Sequence, residues 1–311
     1  MYSASGKRQT TIKAGSDGAL GSWNRAGTKI MVVANHGAQS LNVGELWHAT
    51  GSGFTLQRTF SYSNTGVDNA VISPDGSRVA IVVDDKSLNS SNSFTNMALI
   101  IDVRNTDTGR LVRTLRAVKS IQTVAFNPNG RQIVGIDAAG QIEAWNGTAT
   151  HPRVLGSPGS SFSTVSFNQS GSEFVVASAG GAIFVWNARD GRAVTSINAC
   201  PAPTDAGFSP DGSKLVVACG DGTVRVFDAG SGRPLTVIQA TSAGTVGDAG
   251  FSPDGTSIVA LVDGVNTQEI QIWNAELATS SLPALERIAR QRVGDKLTAA
   301  QQQQYLSGAS G

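Results

Sequence analysis

A short turn recurs along this chain, and its spacing restricts the possible folds more than any other feature. Phe208-Ser-Pro-Asp-Gly212 returns as Phe251-Ser-Pro-Asp-Gly255, Phe126-Asn-Pro-Asn-Gly130 and Phe167-Asn-Gln-Ser-Gly171. Ile72-Ser-Pro-Asp-Gly76 is a close variant and Trp23-Asn-Arg-Ala-Gly27 the most divergent copy. Each turn joins two apolar runs, and Asp221-Gly222 marks a second, hairpin-type turn in the clearest repeat, so a repeat reads as short strands joined by tight turns. Phe126, Phe167 and Phe208 stand 41 residues apart, and Phe251 follows 43 residues later. Six copies of the turn are present, and the period of the regular ones, about 40 to 45 residues with four strands per unit, matches that of propeller blades.

Here the sequence resembles the WD-repeat family. The resemblance is carried by the Phe208 turn, by Asp221-Gly-Thr-Val-Arg-Val-Phe-Asp228, and by Ile183-Phe-Val-Trp-Asn187 and Ile270-Gln-Ile-Trp-Asn274 at the blade end. It implies an all-β, six-bladed β-propeller of four-stranded antiparallel blades, with seven blades as the alternative. It departs from the best-known pattern in two ways. No Gly-His pair precedes the first strands, and the Trp-Asp pair stands as Trp186-Asn187, Trp145-Asn146 or Phe227-Asp228.

The first strands end at Trp23, Ile72, Phe126, Phe167, Phe208 and Phe251, and the third at Trp47, Ile101, Trp145, Trp186, Phe227 and Trp273. The large third-strand side chains are expected to fill the space between blades, each contributing roughly 2 to 3 kcal/mol. The second strands, such as Gln132 to Ile136 and Lys214 to Ala218, are apolar runs suited to burial on both faces. Gly6 precedes Ile12 as Gly191 precedes Ile197, so Lys7 to Ile12 reads as a fourth strand that closes the last blade and removes an exposed edge. The second repeat is longer because of a polar hairpin insertion, Asp84 to Asn96, expected to be tolerated there.

The propeller is therefore placed at residues 1–278, and residues 279–311 form a helical tail. Leu282, Leu285, Ile288, Ala289 and Val293 fall at helical spacing behind Pro283, Gly294 follows, and Thr298-Ala-Ala-Gln301 reads as a capping box for a second short helix. Arg292-Val-Gly-Asp-Lys-Leu-Thr298 with Tyr305-Leu306 is similar to the tail behind the WD-repeat sensor region of bacterial, actinobacterial-type STAND signalling ATPases.

Composition narrows the function. A net charge of +1 supplies no field for nucleic acid or an anionic membrane. No stretch has the apolar length of a membrane span, and the first residues lack the core of an export signal, so cytoplasmic location is the expectation. Cys200 and Cys219 are read as small strand or loop residues, since two cysteines make neither a disulfide framework nor a zinc set. No phosphate loop, His-Glu-x-x-His pair or Gly-x-Ser-x-Gly elbow is present, and His36, His48 and His151 share no motif spacing. No cofactor and no catalytic group is expected.

One polar register does repeat. Three positions before each first-strand terminus stand Leu20, Asn69, Thr123, Thr164, Asp205 and Asp248, and these positions form a ring in the central channel of a propeller. Asn69, Thr123, Thr164, Asp205 and Asp248 are the candidate partner-binding residues, with Asp205 and Asp248 on adjacent blades as a contact patch for a peptide or a cation. WD-repeat propellers generally bind partners through loops on a rigid scaffold, which implies a non-enzymatic, monomeric scaffold or sensor for proteins or peptides, separated from a signalling ATPase. The rival reading is a lactonase-type hydrolase with a metal held in the channel by Asn69, Asp205 and Asp248.

Overall fold

The computed structural model describes residues 17–35, 43–50, 53–62, 67–85, 98–118, 121–137, 139–157, 162–264 and 268–276. These form a six-bladed propeller of antiparallel sheets, each blade built in chain order from the channel outwards. Blade 1 holds β1 (Asp17–Trp23), β2 (Lys29–Asn35), β3 (Val43–Thr50) and β4 (Gly53–Phe60); blade 2 holds β5 (Val67–Ile72), β6 (Arg78–Asp85), β7 (Ala98–Asn105) and β8 (Leu111–Arg116). Blade 3 holds β9 (Ile121–Phe126), β10 (Gln132–Asp137), β11 (Ile142–Asn146) and β12 (Arg153–Gly156); blade 4 holds β13 (Phe162–Phe167), β14 (Glu173–Ser178), β15 (Ala182–Asn187) and β16 (Ala193–Asn198). Blade 5 holds β17 (Pro203–Phe208), β18 (Lys214–Cys219), β19 (Thr223–Asp228) and β20 (Pro234–Gln239). Blade 6 contributes β21 (Gly244–Phe251), β22 (Ser257–Gly264) and β23 (Gln268–Asn274). The expected closing strand, Lys7 to Ile12, and the helical tail, 279–311, lie outside the described residues.

The recurring turn forms because its side chains complete its hydrogen bonding. In blade 5 the Ser209 hydroxyl donates to Asp211 Oδ1 (2.6 Å) and accepts from the Lys214 amide (2.9 Å), while Asp211 Oδ1 accepts from the Ser213 amide. Gly212 adopts φ 74°, which disfavours any side chain there. Asn24 plays the serine's part in blade 1, accepting from the Thr28 and Lys29 amides.

The core lies between blades. Leu215, Val217 and Cys219 of β18 face blade 4, while Val216 and Ala218 face blade 6, so the strand is buried on both faces. Trp145 is fully buried between blades 2 and 3, and its Nε1 donates to Arg116 O at 3.2 Å. Trp186 packs between blades 3 and 4, so close to Gly156 that a Cβ there would come within 2.6 Å of the indole.

Strand register corrects one position. The residue equivalent to Trp145 and Phe227 pairs with the start of the second strand, and in blade 2 Val79 pairs with Arg104, not with Ile101. Ile101 is instead one of the fully buried residues packed towards blade 3. An arginine at this seam needs partners, and it has them: Nη2 meets Asp102 Oδ2 at 2.9 Å, Nε donates to the Tyr62 hydroxyl at 3.2 Å, and the guanidinium lies 5.4 Å from that ring. Burial, and then the Asp102 charge, push the Tyr62 hydroxyl well above its ordinary pKa.

The outer strands add a repeated clamp that the sequence pattern does not announce. Arg58, Arg113, Arg153 and Thr195 occupy the same register position, opposite Leu46, Val103, Ala144 and Val185. Each donates to backbone carbonyls in the next blade's outer turn: Arg58 to Asp107, Arg113 to Gly147, Arg153 to Arg189 and Asp190, and Thr195 to Gly230. Asp84 and Asp85, expected to open the blade 2 insertion, belong instead to β6 and pair with Leu99 and Ala98, and residues 86–96 of that insertion lie outside the described residues.

The cysteine reading is also corrected. Cys200, just after β16, and Cys219, at the end of β18, form a disulfide across the blade 4 to blade 5 junction. The 41-residue repeat brings the linker behind one blade against the second strand of the next. That neighbourhood was not visible in a count of two cysteines.

Candidate functional site

The channel ring is built by a defect that recurs in every blade. In each first strand the pairing with the second strand slips just before the ring position: between Asp17 and Leu20, Val67 and Asn69, Ile121 and Thr123, Phe162 and Thr164, Pro203 and Asp205, and Val246 and Asp248. A bulge inserts one unpaired residue and re-aims the side chain that follows it. The polar register thus sits at one level of the propeller, on the innermost strands. The side chain of Leu20 lies outside the described residues.

Residues of the ring and its bulges bridge neighbouring blades. Asn69 Nδ2 donates to the carbonyl of Gln122, the bulged residue of blade 3, at 3.4 Å. Thr204, the bulged residue of blade 5, donates from Oγ1 to Val246 O at 2.6 Å. Asp205 is the centre of the most connected part: Oδ2 accepts from the Ala249 amide at 3.4 Å, and the carboxyl also interacts with Thr164 on one side and Asp248 on the other. Thr164, Asp205 and Asp248 are therefore brought together across blades 4, 5 and 6. Thr123 is half-buried at the equivalent place in blade 3.

Two adjacent carboxyl groups in a partly desolvated seam cannot both ionise cheaply. Burial, with the hydrogen bond and charge of Asp248 added, pushes Asp205 up to about 7, so near neutral pH the Asp205 carboxyl is partly protonated. Asp248 itself is exposed to the channel. The arrangement suits one cationic or hydrogen-bond-donating group, such as a lysine or arginine side chain. Among the described residues no three His, Cys, Asp or Glu side chains converge as a metal would need.

One groove and four further residues bear on function. A groove of about 730 Å³ opens between blades 5 and 6 beside Asp211, Lys214, Asp254 and Glu276. In it Asp211 and Asp254 are held down to about 2, first by the hydroxyls of Ser209 and Ser252 respectively. His48 and His151 are both exposed. Asn187 and Asp228, which stand where the family pattern has its aspartate, accept from backbone amides at their own outer turns.

Residues 191–228, running from the outer turn of blade 4 to the end of β19, match the family described as WD domain, G-beta repeat. That match and the six blades together support a WD-repeat β-propeller. No curated protein matches the chain.

Proposed function

We propose that this propeller is a non-catalytic interaction scaffold that holds a protein or peptide at its channel through Asn69, Thr123, Thr164, Asp205 and Asp248. The observation that carries the reading is the bulge-borne polar ring, which ends in two adjacent, hydrogen-bonded carboxyl groups able to receive a basic side chain. WD-repeat propellers commonly serve as interaction modules, and a rigid ring of blades keeps such a site preorganised.

The test is calorimetric titration of the full chain with short lysine- and arginine-containing peptides, and separately with calcium. A basic peptide that binds at least tenfold more tightly to the wild type than to the Asp205→Asn/Asp248→Asn variant supports the channel. Equal affinities refute it. Tight calcium binding that needs both aspartates turns the reading towards the metal-dependent hydrolase.

The finer reading, a sensor separated from a bacterial signalling ATPase, draws its support from the tail sequence. The disulfide weighs on the other side, because such bonds persist in oxidising compartments and are rare in the cytoplasm. We place the protein in an oxidising compartment on that ground, and thiol titration of protein prepared without reductant tests it.

A further inference from the structure

Blade 6 presents an apolar face that the other blades bury. In blade 5 the side chains that face the next blade, Val216, Ala218, Val224 and Val226, are all 0% exposed. Strand register identifies their counterparts in blade 6, since Leu215 and Phe227 of blade 5 pair as Ile258 and Trp273 do. Those counterparts are Val259, Leu261, Ile270 and Ile272, and Leu261 is 36%, Ile270 55% and Ile272 64% exposed. Three large aliphatic side chains on one sheet face form a patch that calls for a cover.

The chain itself carries a segment that fits. The described residues end at Glu276, just past the end of β23, and the stripe of Leu282, Leu285, Ile288, Ala289 and Val293 begins six residues later. Arg287, Arg290 and Gln291 fall on the opposite side of the same helical projection, and Arg292, which falls within the stripe, stands in its last turn, where its long stem can carry the charge out to water. A helix over 282–293 is about 18 Å long. The eight residues of β22 span about 26 Å, so the helix lies within the sheet's length. The five residues between Glu276 and Leu282 extend to about 17 Å, enough to turn the chain back over Ile272 and Ile270.

We infer that residues 282–293 dock as an amphipathic helix on this face of blade 6, antiparallel to β23, over the side chains that blade 1 leaves exposed. The tail is then part of the propeller's packing and not an appendage, and its polar side becomes the outer surface of blade 6.

Both native cysteines are held in the disulfide, so a cysteine introduced by Ile272→Cys is the reactive thiol under non-reducing conditions. Its maleimide labelling in the full chain is expected to be at least tenfold slower than that of Val237→Cys, which is 58% exposed on β20. Adding Leu285→Asp and Ile288→Asp is expected to restore the fast rate. An Ile272→Cys/Leu285→Cys chain is expected to close an intramolecular bond, read by mass and by non-reducing gel, and this decides the matter if the aspartate variant does not fold. Labelling of Ile272→Cys as fast as Val237→Cys overturns the inference. So does slow labelling that ignores the aspartates: dependence on protein concentration then assigns the face to a second copy, and independence assigns it to another part of the same chain.

Discussion

Reduction of the Cys200–Cys219 bond is the perturbation whose size follows most directly from the structure. The bond closes a loop across a sequence separation of 19, and restricting a loop of that length in the unfolded chain is worth about 3 kcal/mol on the chain-entropy account. Both cysteines are buried, at 6% and 0% exposure, so the thiols left by reduction stay in a packed seam and little packing is lost. The effect should therefore appear mainly through the unfolded state. For a chain of 311 residues 3 kcal/mol corresponds to a fall in Tm of about 4 to 6 °C. The assay is thermal unfolding followed by circular dichroism, with and without reductant, on the wild type and on a Cys200→Ser/Cys219→Ser control. The wild type should lose its increment in reductant while the control, already lower, does not move. Two titratable thiols in the native, unreduced protein would refute the bond. An intact bond whose reduction leaves Tm unchanged would refute the loop argument instead.

Four other outcomes follow from named contacts. Asp205 binds a proton up to about 7 in the folded state against about 4 when unfolded, so the native state holds more protons in that window and stability falls as pH rises from about 4 to about 7; Asp205→Asn should flatten this slope in Tm measured against pH. Below pH 4 the opposite slope, from Asp211 and Asp254 near 2, should persist in that variant because their stabilisation is lost only as pH falls. Gly156→Ala places a Cβ within 2.6 Å of the Trp186 ring and should cost about 1 to 3 kcal/mol in denaturant titration, relieved by Trp186→Phe in the double variant. Trp145→Phe should cost about 1 kcal/mol more than Trp186→Phe, because Trp145 Nε1 gives up its bond to Arg116 O while Trp186 Nε1 has no partner among the described residues.

Much of the fold was legible because repetition compensates for weak signals. The turn at Trp23-Asn-Arg-Ala-Gly27 is barely a match alone, yet it stands one period ahead of Ile72, and β1 and β2 flank it. The ring was legible for the same reason: Asn69, Thr123, Thr164, Asp205 and Asp248 share one offset, and the structure gives them one register. The bulges beneath the ring were not legible. A bulge residue can be Asp68, Gln122, Thr204 or Gly247, so no residue type marks it. The clamp of Arg58, Arg113, Arg153 and Thr195 escaped too, because its acceptors are main-chain carbonyls that leave no trace in side-chain patterning.

Where the pattern failed, it failed at contacts between repeats. Ile101 was a reasonable large residue for the end of a third strand, but the insertion between β6 and β7 hid the true count, and pairing with Val79 puts Arg104 there. The consequence is physical. An arginine in an apolar seam is tolerable only with an anion and acceptors at hand, and Asp102 and Tyr62 supply them from two blades. Asp102 in turn accepts from Thr114 at 2.8 Å, so one substitution in the repeat required a four-residue polar network around it. Cys200 and Cys219 follow the same logic, pairing across a seam that neither repeat contains alone. A repeat sequence thus displays what each blade must share with the others, and conceals the side chains with which a particular pair of blades recognises each other.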